Sequence, residues 1–290
     1  MEGANYHVLN DDCKVRILSL TSPRDLCSLC AVSKSFRSEA ESDAIWERFL
    51  PSDWRDILPR FVSSLQDLSS LKQLYFLLCQ PRLIDHGKRC LWLEKSSGKK
   101  CLMVSPRDLM ISWRDDERYW QWNPAPADSS VFPEVAELIK VWWFDIRGTI
   151  NKADLSPNTK YAVRFLMRHT SNHYGWEHLP VMLSLRVEDD PPMHEQTVLL
   201  CPNQRRSALR PSKEYNGWMH VKVGEFLCDA EGGDVEFRMH ELSQYKEGIM
   251  VMGVEIRPCS VQEMEESSDV REDSNGEEDS EGSIDFYRSD

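Results

Sequence analysis

Tyr161-Ala162-Val163-Arg164-Phe165-Leu166-Met167-Arg168 sets Tyr, Val, Phe and Met on one side of an extended chain and two arginines on the other. Successive side chains of a β-strand point to opposite faces, so this period of two predicts a strand with one face in a core. The same reading extends in both directions. Cys90-Leu91-Trp92-Leu93-Glu94 and Cys101-Leu102-Met103-Val104 flank Ser97-Gly98 and predict a hairpin. Further strands are expected at residues 119–122, 136–147, 181–187, 197–201, 218–223, 235–239 and 249–256. Ser105-Pro106-Arg107-Asp108 predicts one helical turn among them, and residues 169–177 read as a loop. Many short strands punctuated by Pro, Gly, Asn and Asp describe an all-β antiparallel sandwich.

Upstream, from residue 11 to about residue 84, the period is helical. Asp12 is placed to cap a first helix carrying Val15, Ile17, Leu18 and Leu20. Ser22-Pro23-Arg24-Asp25 combines a Ser cap, Pro at the first helical position and an acid in the first turn. The helix it opens carries Leu26, Leu29 and Cys30. Ser33 or Ser35 begins another, with Phe36 and Ala40 four apart. Asp43 caps one that presents Ile45, Trp46, Phe49 and Leu50 before Pro51 stops it, and residues 69–79 carry Leu71, Leu74, Leu77 and Leu78. Helices this short must pack on one another or on a partner. The fold class is therefore α+β.

Length and charge narrow the function. At 290 residues the chain predicts about two domains. A 41% hydrophobic and 29% charged composition suffices for a core. The formal net charge of −13 is unevenly placed, because residues 262–290 hold twelve acids against Arg271 and Arg288. That Glu, Ser, Asp and Gly composition cannot bury a core and predicts an acidic disordered tail over residues 260–290. The nearly neutral remainder lacks the clustered Lys and Arg of a phosphate-backbone binder, which excludes nucleic acid. Residues 1–14 have no basic or apolar run of a secretory signal. The longest apolar stretches, 74–79 and 141–144, fall far short of the ~20 residues that span a bilayer, so no membrane is expected. Nine cysteines, an odd number, fit free thiols in the cytoplasm and nucleus.

Catalytic constellations are missing. The chain has no G-x-x-x-x-G-K-[ST], no strand-linked G-x-G-x-x-G, no G-x-S-x-G and no H-E-x-x-H. Cys27-x-x-Cys30 has no second pair at zinc spacing and sits on an amphipathic helix, where small buried Cys is common. His169, His173 and His178 cluster within ten residues, without a regular ligand spacing. Asp115-Asp116 and Asp189-Asp190 read as solvated turn residues. No catalytic residue, metal site or cofactor is assigned.

Two segments are more specific. Leu9-Asn10-Asp11-Asp12-Cys13, Ile17-Leu18-Ser19-Leu20-Thr21-Ser22-Pro23-Arg24-Asp25, Val32-Ser33-Lys34-Ser35-Phe36-Arg37 and Ala44-Ile45-Trp46-Glu47-Arg48-Phe49-Leu50-Pro51 together resemble a plant F-box. The resemblance implies a three-helix module that binds the Skp-type adaptor of cullin-RING ubiquitin ligases. Short helices with more apolar surface than they can hide suit such a helix-in-groove partner. Leu9, Ile17, Leu18, Pro23, Val32, Phe36 and Trp46 are the expected adaptor contacts. One departure is visible: the family begins Leu-Pro, whereas Leu9 is followed here by Asn10.

The second resemblance covers residues 88–259. Its markers are Leu109-Met110-Ile111-Ser112-Trp113, Tyr119-Trp120-Gln121-Trp122, Ala136-Glu137-Leu138, Trp143-Phe144-Asp145-Ile146-Arg147-Gly148, Leu155-Ser156-Pro157, Tyr174-Gly175-Trp176-Glu177 and Gly253-Val254-Glu255-Ile256-Arg257-Pro258. These resemble the phloem protein 2 family, related to the tobacco lectin Nictaba. The resemblance implies a jelly-roll-like sandwich that binds N-acetylglucosamine oligomers or N-glycans. It carries the lectin's sugar-site positions onto Trp113, Trp120 and Asp234, the last a Glu in the lectin. An indole face stacks on the apolar C–H face of a sugar, while a carboxylate accepts bonds from its hydroxyls. Packing inside the sandwich is the alternative for Trp113 and Trp120, and the core is the expected place of Trp142, Trp176 and Trp218.

The expected organisation is thus an F-box over 1–60, a helical linker over 61–87, a lectin-like domain over 88–259 and the tail over 260–290. The leading function is the substrate receptor of an SCF-type (Skp–cullin–F-box) ubiquitin ligase, with the adaptor, through it the cullin, and a glycan or glycoprotein target as partners. A defence lectin that acts without ligase assembly, and a receptor for a protein surface with no sugar involved, are the alternatives.

Overall fold

Side chains that bond back to the backbone open the helices of the first third. Asn10 Oδ1 accepts from the Cys13 N–H at 2.8 Å and caps α1, Asp11–Leu18. Ser22 caps α2, Pro23–Val32, with Pro at its first turn. Ser33 caps α3, Lys34–Glu39. α4, Asp43–Phe49, begins after Ser42 without a side-chain cap, and Asp43 Oδ1 instead accepts from the Leu71 N–H at 2.7 Å. α5 spans Trp54–Phe61, and Ser70 caps α6, Leu71–Leu78. Two starts therefore differ from expectation: Asn10, not Asp12, is the first cap, and Asp43 ties α4 to α6. α5 was not anticipated because it contains Pro59, which lacks the N–H of a helix interior. The computed structural model describes residues 9–61, 69–126, 130–177, 179–188, 190–201, 212–213, 217–229 and 232–260. The acidic tail predicted beyond residue 260 lies outside them.

Fourteen strands follow among the described residues. A nine-stranded antiparallel sheet takes β1 (Arg82–Ile84), β2 (Arg89–Leu93), β3 (Lys100–Val104), β14 (Glu247–Pro258), β8 (Thr159–Tyr174), β12 (Met219–Cys228) and β11 (Ser212–Lys213) in that order, with β5 (Trp120–Pro124) and β6 (Glu134–Leu138) joined through β14. The second sheet runs β10 (Asp190–Leu199), β9 (Pro180–Val187), β13 (Asp234–Glu241), β7 (Phe144–Asn151) and β4 (Met110–Ile111). The two sheets form the expected β-sandwich. Their inner faces supply one core, with Val163, Phe165 and Met167 of β8 meeting Val235, Phe237 and Met239 of β13. The Phe165 and Phe237 rings cross edge to face at 6.0 Å.

Three features depart from the periodicity. β8 runs on through Tyr174, where a loop was expected, because β14 offers backbone partners as far as Glu247. The single strand expected over residues 136–147 is broken into β6 and β7. The interval expected to be a helical linker supplies β1, which pairs with β2, beside the expected helix α6, whose Tyr75 hydroxyl donates to the Lys95 carbonyl at 3.1 Å. The opposite face of β8 is also covered: Leu166 packs with Met103, Phe132, Val135 and Trp218 in a smaller core. Residues up to Pro258 form one compact unit.

Candidate functional site

The helical module has an inner and an outer apolar surface. Leu18, Leu26, Ile45 and Trp46 form its core, and the Trp46 indole N–H donates to the Ala40 carbonyl at 2.6 Å. Leu18 is 1% exposed. Pro23 is buried as well, and Phe36 packs half-buried against that core. Of the expected adaptor contacts, Leu18, Pro23 and Trp46 are thus corrected to packing residues, because each lies on the side its helix turns toward its neighbours. Leu9, Ile17 and Val32 are exposed, Val32 by 75%, and Leu20, in the turn after α1, joins them. These exposed aliphatic side chains lie on a helical module whose core is complete without them, which leaves them available to a partner.

On the sandwich, the three expected sugar residues do not share a place. Trp120, 2% exposed, stacks on Phe144 at 6.3 Å, and its indole N–H donates to the Ser112 carbonyl at 3.0 Å. It is a core residue, and its assignment to a sugar site is corrected. Trp113 is 58% exposed, holds a left-handed backbone (φ 67°) and lies 5.8 Å from the Tyr119 ring. Asp234 is exposed and accepts from the Asn151 amide at 2.8 Å. Register sets these two apart. Ser112 bonds the Asp145 carbonyl at one end of β7, whereas Asp234 pairs with Asn151 at the other. Six residues at about 3.3 Å each separate those levels by about 20 Å. One sugar ring cannot touch both.

Between them lies a polar surface on the outer face of the five-stranded sheet. Asp145, nearly shielded from solvent, accepts from Arg147 at 2.6 Å and from Arg238 at 2.7 Å. Burial alone would raise its pKa, but the two guanidinium bonds outweigh burial and hold the carboxyl below its ordinary range. Both arginines, with Arg186, Glu195, Glu236 and His240, line a hollow of about 290 Å³. Burial and the neighbouring Arg238 charge lower the His240 pKa, so the ring is neutral at pH 7.

Sequence reasoning missed the aromatic end of the sandwich. Trp176 and Trp218 are buried as expected, but Trp142 is 64% exposed, and Trp143 and Tyr174 are exposed too. The Val141-Trp142-Trp143-Phe144 run held the signal: a strand alternates, so tandem Trp residues cannot both face one core. Trp142 meets Tyr245 at 6.1 Å between ring centroids, and Tyr245 meets Tyr174 at 6.2 Å.

Metal-ligating groups were also located. Ligand atoms of His173, Glu177 and Cys201 lie within 4.8 Å of one another, and His173 Nδ1 is 2.9 Å from the Thr170 carbonyl oxygen. Three such groups are one short of a structural zinc set. His169 Nε2 instead lies 3.1 Å from the Leu200 carbonyl oxygen, and His178 lies outside the described residues. Cys27 and Cys30 are both free thiols, and burial followed by the Cys30 charge raises the Cys27 pKa. Burial pushes Cys79 up to about 11 and Cys90 up to about 12, which keeps these thiols protonated and unreactive at pH 7.

Comparison with known proteins places both modules. The family described as Phloem protein 2 matches residues 99–258, and the one described as F-box-like matches residues 11–52. F-box protein PP2-B10 of Arabidopsis thaliana is 37% identical over 271 residues, which cover 90% of this chain and 96% of that protein. F-box protein At2g02240 of the same plant is 36% identical, over 89% of this chain and 81% of its own length. Among solved structures, TmCBM61 in complex with β-1,4-galactotriose aligns over 52% of this chain and 87% of its own, at 7% identity and a TM-score of 0.31. A CBM4 structure aligns over 52% and 86%, at 12% identity and a TM-score of 0.27. Likeness this distant says nothing about ligand. The relatives and the matched segments agree with the helices and sandwich described above: the chain belongs to the phloem protein 2 family, as an F-box protein with a lectin-like domain.

Proposed function

We propose that this chain is the substrate-recognition subunit of a Skp–cullin–F-box ubiquitin ligase in the cytoplasm and nucleus. The observation that carries the reading is the exposure of Leu9, Ile17, Leu20 and Val32 on a helical module whose core is complete without them. A Skp-type adaptor buries these side chains and, through the cullin, brings the ubiquitin-transfer machinery to whatever the sandwich holds. The chain contributes proximity, converting a bimolecular encounter into one within a complex. The sandwich captures N-acetylglucosamine-containing glycans or glycoproteins, and the exposed Trp113 offers an indole face for a sugar.

Co-purification with a Skp-type adaptor tests the assembly. The wild-type chain is expected to form a saturable complex. Val32→Glu keeps its melting temperature, because the side chain is exposed, yet loses at least about tenfold in affinity by forcing a charge into the interface. Leu18→Glu, by contrast, unfolds the helices. Full-strength adaptor binding by a folded Val32→Glu protein overturns the assignment of the surface.

A further inference from the structure

We propose that the cleft between Trp142, Tyr174 and Tyr245 is a saccharide subsite for a neutral, β-linked hexopyranose chain. The proposal rests on the glycan-binding reading of the sandwich and gives it a location that the Trp113, Trp120 and Asp234 set does not supply.

Exposure is the first observation. A large indole and a phenol left open to solvent on a folded domain forgo burial that each would otherwise gain. The three rings follow one another in ring contact across a cleft of about 540 Å³, within the usual range of ligand sites, roughly 300–1,000 Å³. The rings are inclined to one another, Trp142 to Tyr245 by 66° and Tyr245 to Tyr174 by 53°, so they form the walls of a cleft rather than a flat shelf, and apolar surface meets a ligand from more than one side. A β-linked hexopyranose with equatorial substituents presents C–H bonds on both ring faces, and successive residues of such a chain repeat that surface.

The platform is rigid. Lys246 is fully buried, and its ammonium donates to the carbonyls of Trp142 at 2.9 Å, Glu241 at 3.1 Å and Gln244 at 2.5 Å, while pairing with the Glu241 carboxylate. One buried cation therefore clamps the segment bearing Trp142 to the turn bearing Tyr245. Val141 and Lys246 add two backbone hydrogen bonds, at 2.8 and 2.9 Å. On the other wall, Gly175 holds φ 85°, and a Cβ there would collide with the Tyr245 carbonyl oxygen. The Trp176 indole N–H fastens the same wall to the Glu247 carbonyl at 2.7 Å. Rings held in place before binding lose little entropy on complex formation.

Charge selects the ligand class. Among the described residues lining the cleft, Glu177 is the one ionisable acid and there is no Lys or Arg, while Gln244 adds an amide. A nucleotide base would also stack on these rings, but its phosphate would meet a carboxylate with no cation to offset it. Sugar hydroxyls suit the same groups, donating to Glu177 and exchanging bonds with Gln244.

Titration of the full chain with chitotriose, followed by calorimetry and by the Trp142 indole N–H resonance, tests the site. The expected result is a shift of that resonance, with about two- to tenfold weaker binding for each of Trp142→Ala and Tyr174→Ala at unchanged melting temperature. The resonance is read on the wild-type protein, so the outcome does not depend on the variants folding. Chitotriose binding that leaves the Trp142 resonance in place, or folded variants that bind as wild type, overturns the subsite while the glycan reading stands. A wild-type chain that binds neither chitotriose nor N-glycans removes both.

Discussion

Six residues separate Trp113 from Trp120, and their surroundings are opposite. Trp120 is enclosed, stacked on Phe144 and bonded through its N–H to Ser112. Trp120→Ala is therefore expected to cost about 3–5 kcal/mol in urea unfolding. Trp113 stands in solvent on a left-handed backbone, a conformation that costs an L-residue about 1–2 kcal/mol. Strain of this kind persists where function holds it. Trp113→Gly relieves the backbone and gives up the Tyr119 ring contact of a mostly exposed side chain, so its unfolding midpoint should equal or exceed that of the wild type. A fall of several degrees would mean that the indole supports the core and is no free binding face. These two positions share a residue type and a resemblance, and differ in backbone, a left-handed turn against the start of β5, and in what lies above them.

At the scale of the element, the start of α1 explains the Asn where the F-box family has Pro. Asn10 has φ −69°, which a proline ring also adopts, but its side chain satisfies the Cys13 N–H. Asn10→Pro keeps the entry angle and deletes the cap, and should lower stability by about 1 kcal/mol in denaturant unfolding of the full chain. Unchanged stability would show that the cap is not used in solution. The same logic of supplied partners governs β8. Its last residues, Asn172, His173 and Tyr174, have no alternation that announces a strand, and they extend because β14 lies alongside. α5 forms despite Pro59 because Ile57 and Leu58 find buried sites.

For the molecule as a whole, the helical module and the sandwich share apolar contacts and cannot be separated at a linker. Ile57 of α5 belongs to the sandwich core, Leu93 of β2 belongs to the helical core, and Lys100 reaches Asp53 at 2.6 Å. Such exchange couples their unfolding. Scanning calorimetry of the full chain is expected to give one transition across residues up to Pro258. Two resolved transitions would mean that the exchanged contacts contribute too little to join the modules. Coupling also bears on the proposed function, since a rigid joint sets where a captured target sits relative to the adaptor.

The chain's own sequence determined whatever depends on near neighbours. Alternation marked Val163, Phe165 and Met167 as one buried face, and Ser22 and Ser33 announced their helices, because pleat and cap are settled within a few residues. Resemblance reached the two modules for the same reason: their motifs are contiguous. Tertiary structure alone decided which apolar residues meet a second layer. Leu18 and Val32 lie on neighbouring helices, and Trp120 opens β5 while Trp142 just precedes β7, yet one of each pair is enclosed and the other open. Periodicity defines a face, whereas burial requires another element to arrive upon it. That arrival depends on strand order, on β14 lying between β3 and β8 and on the Lys246 clamp, each linking residues whose separation no local pattern records.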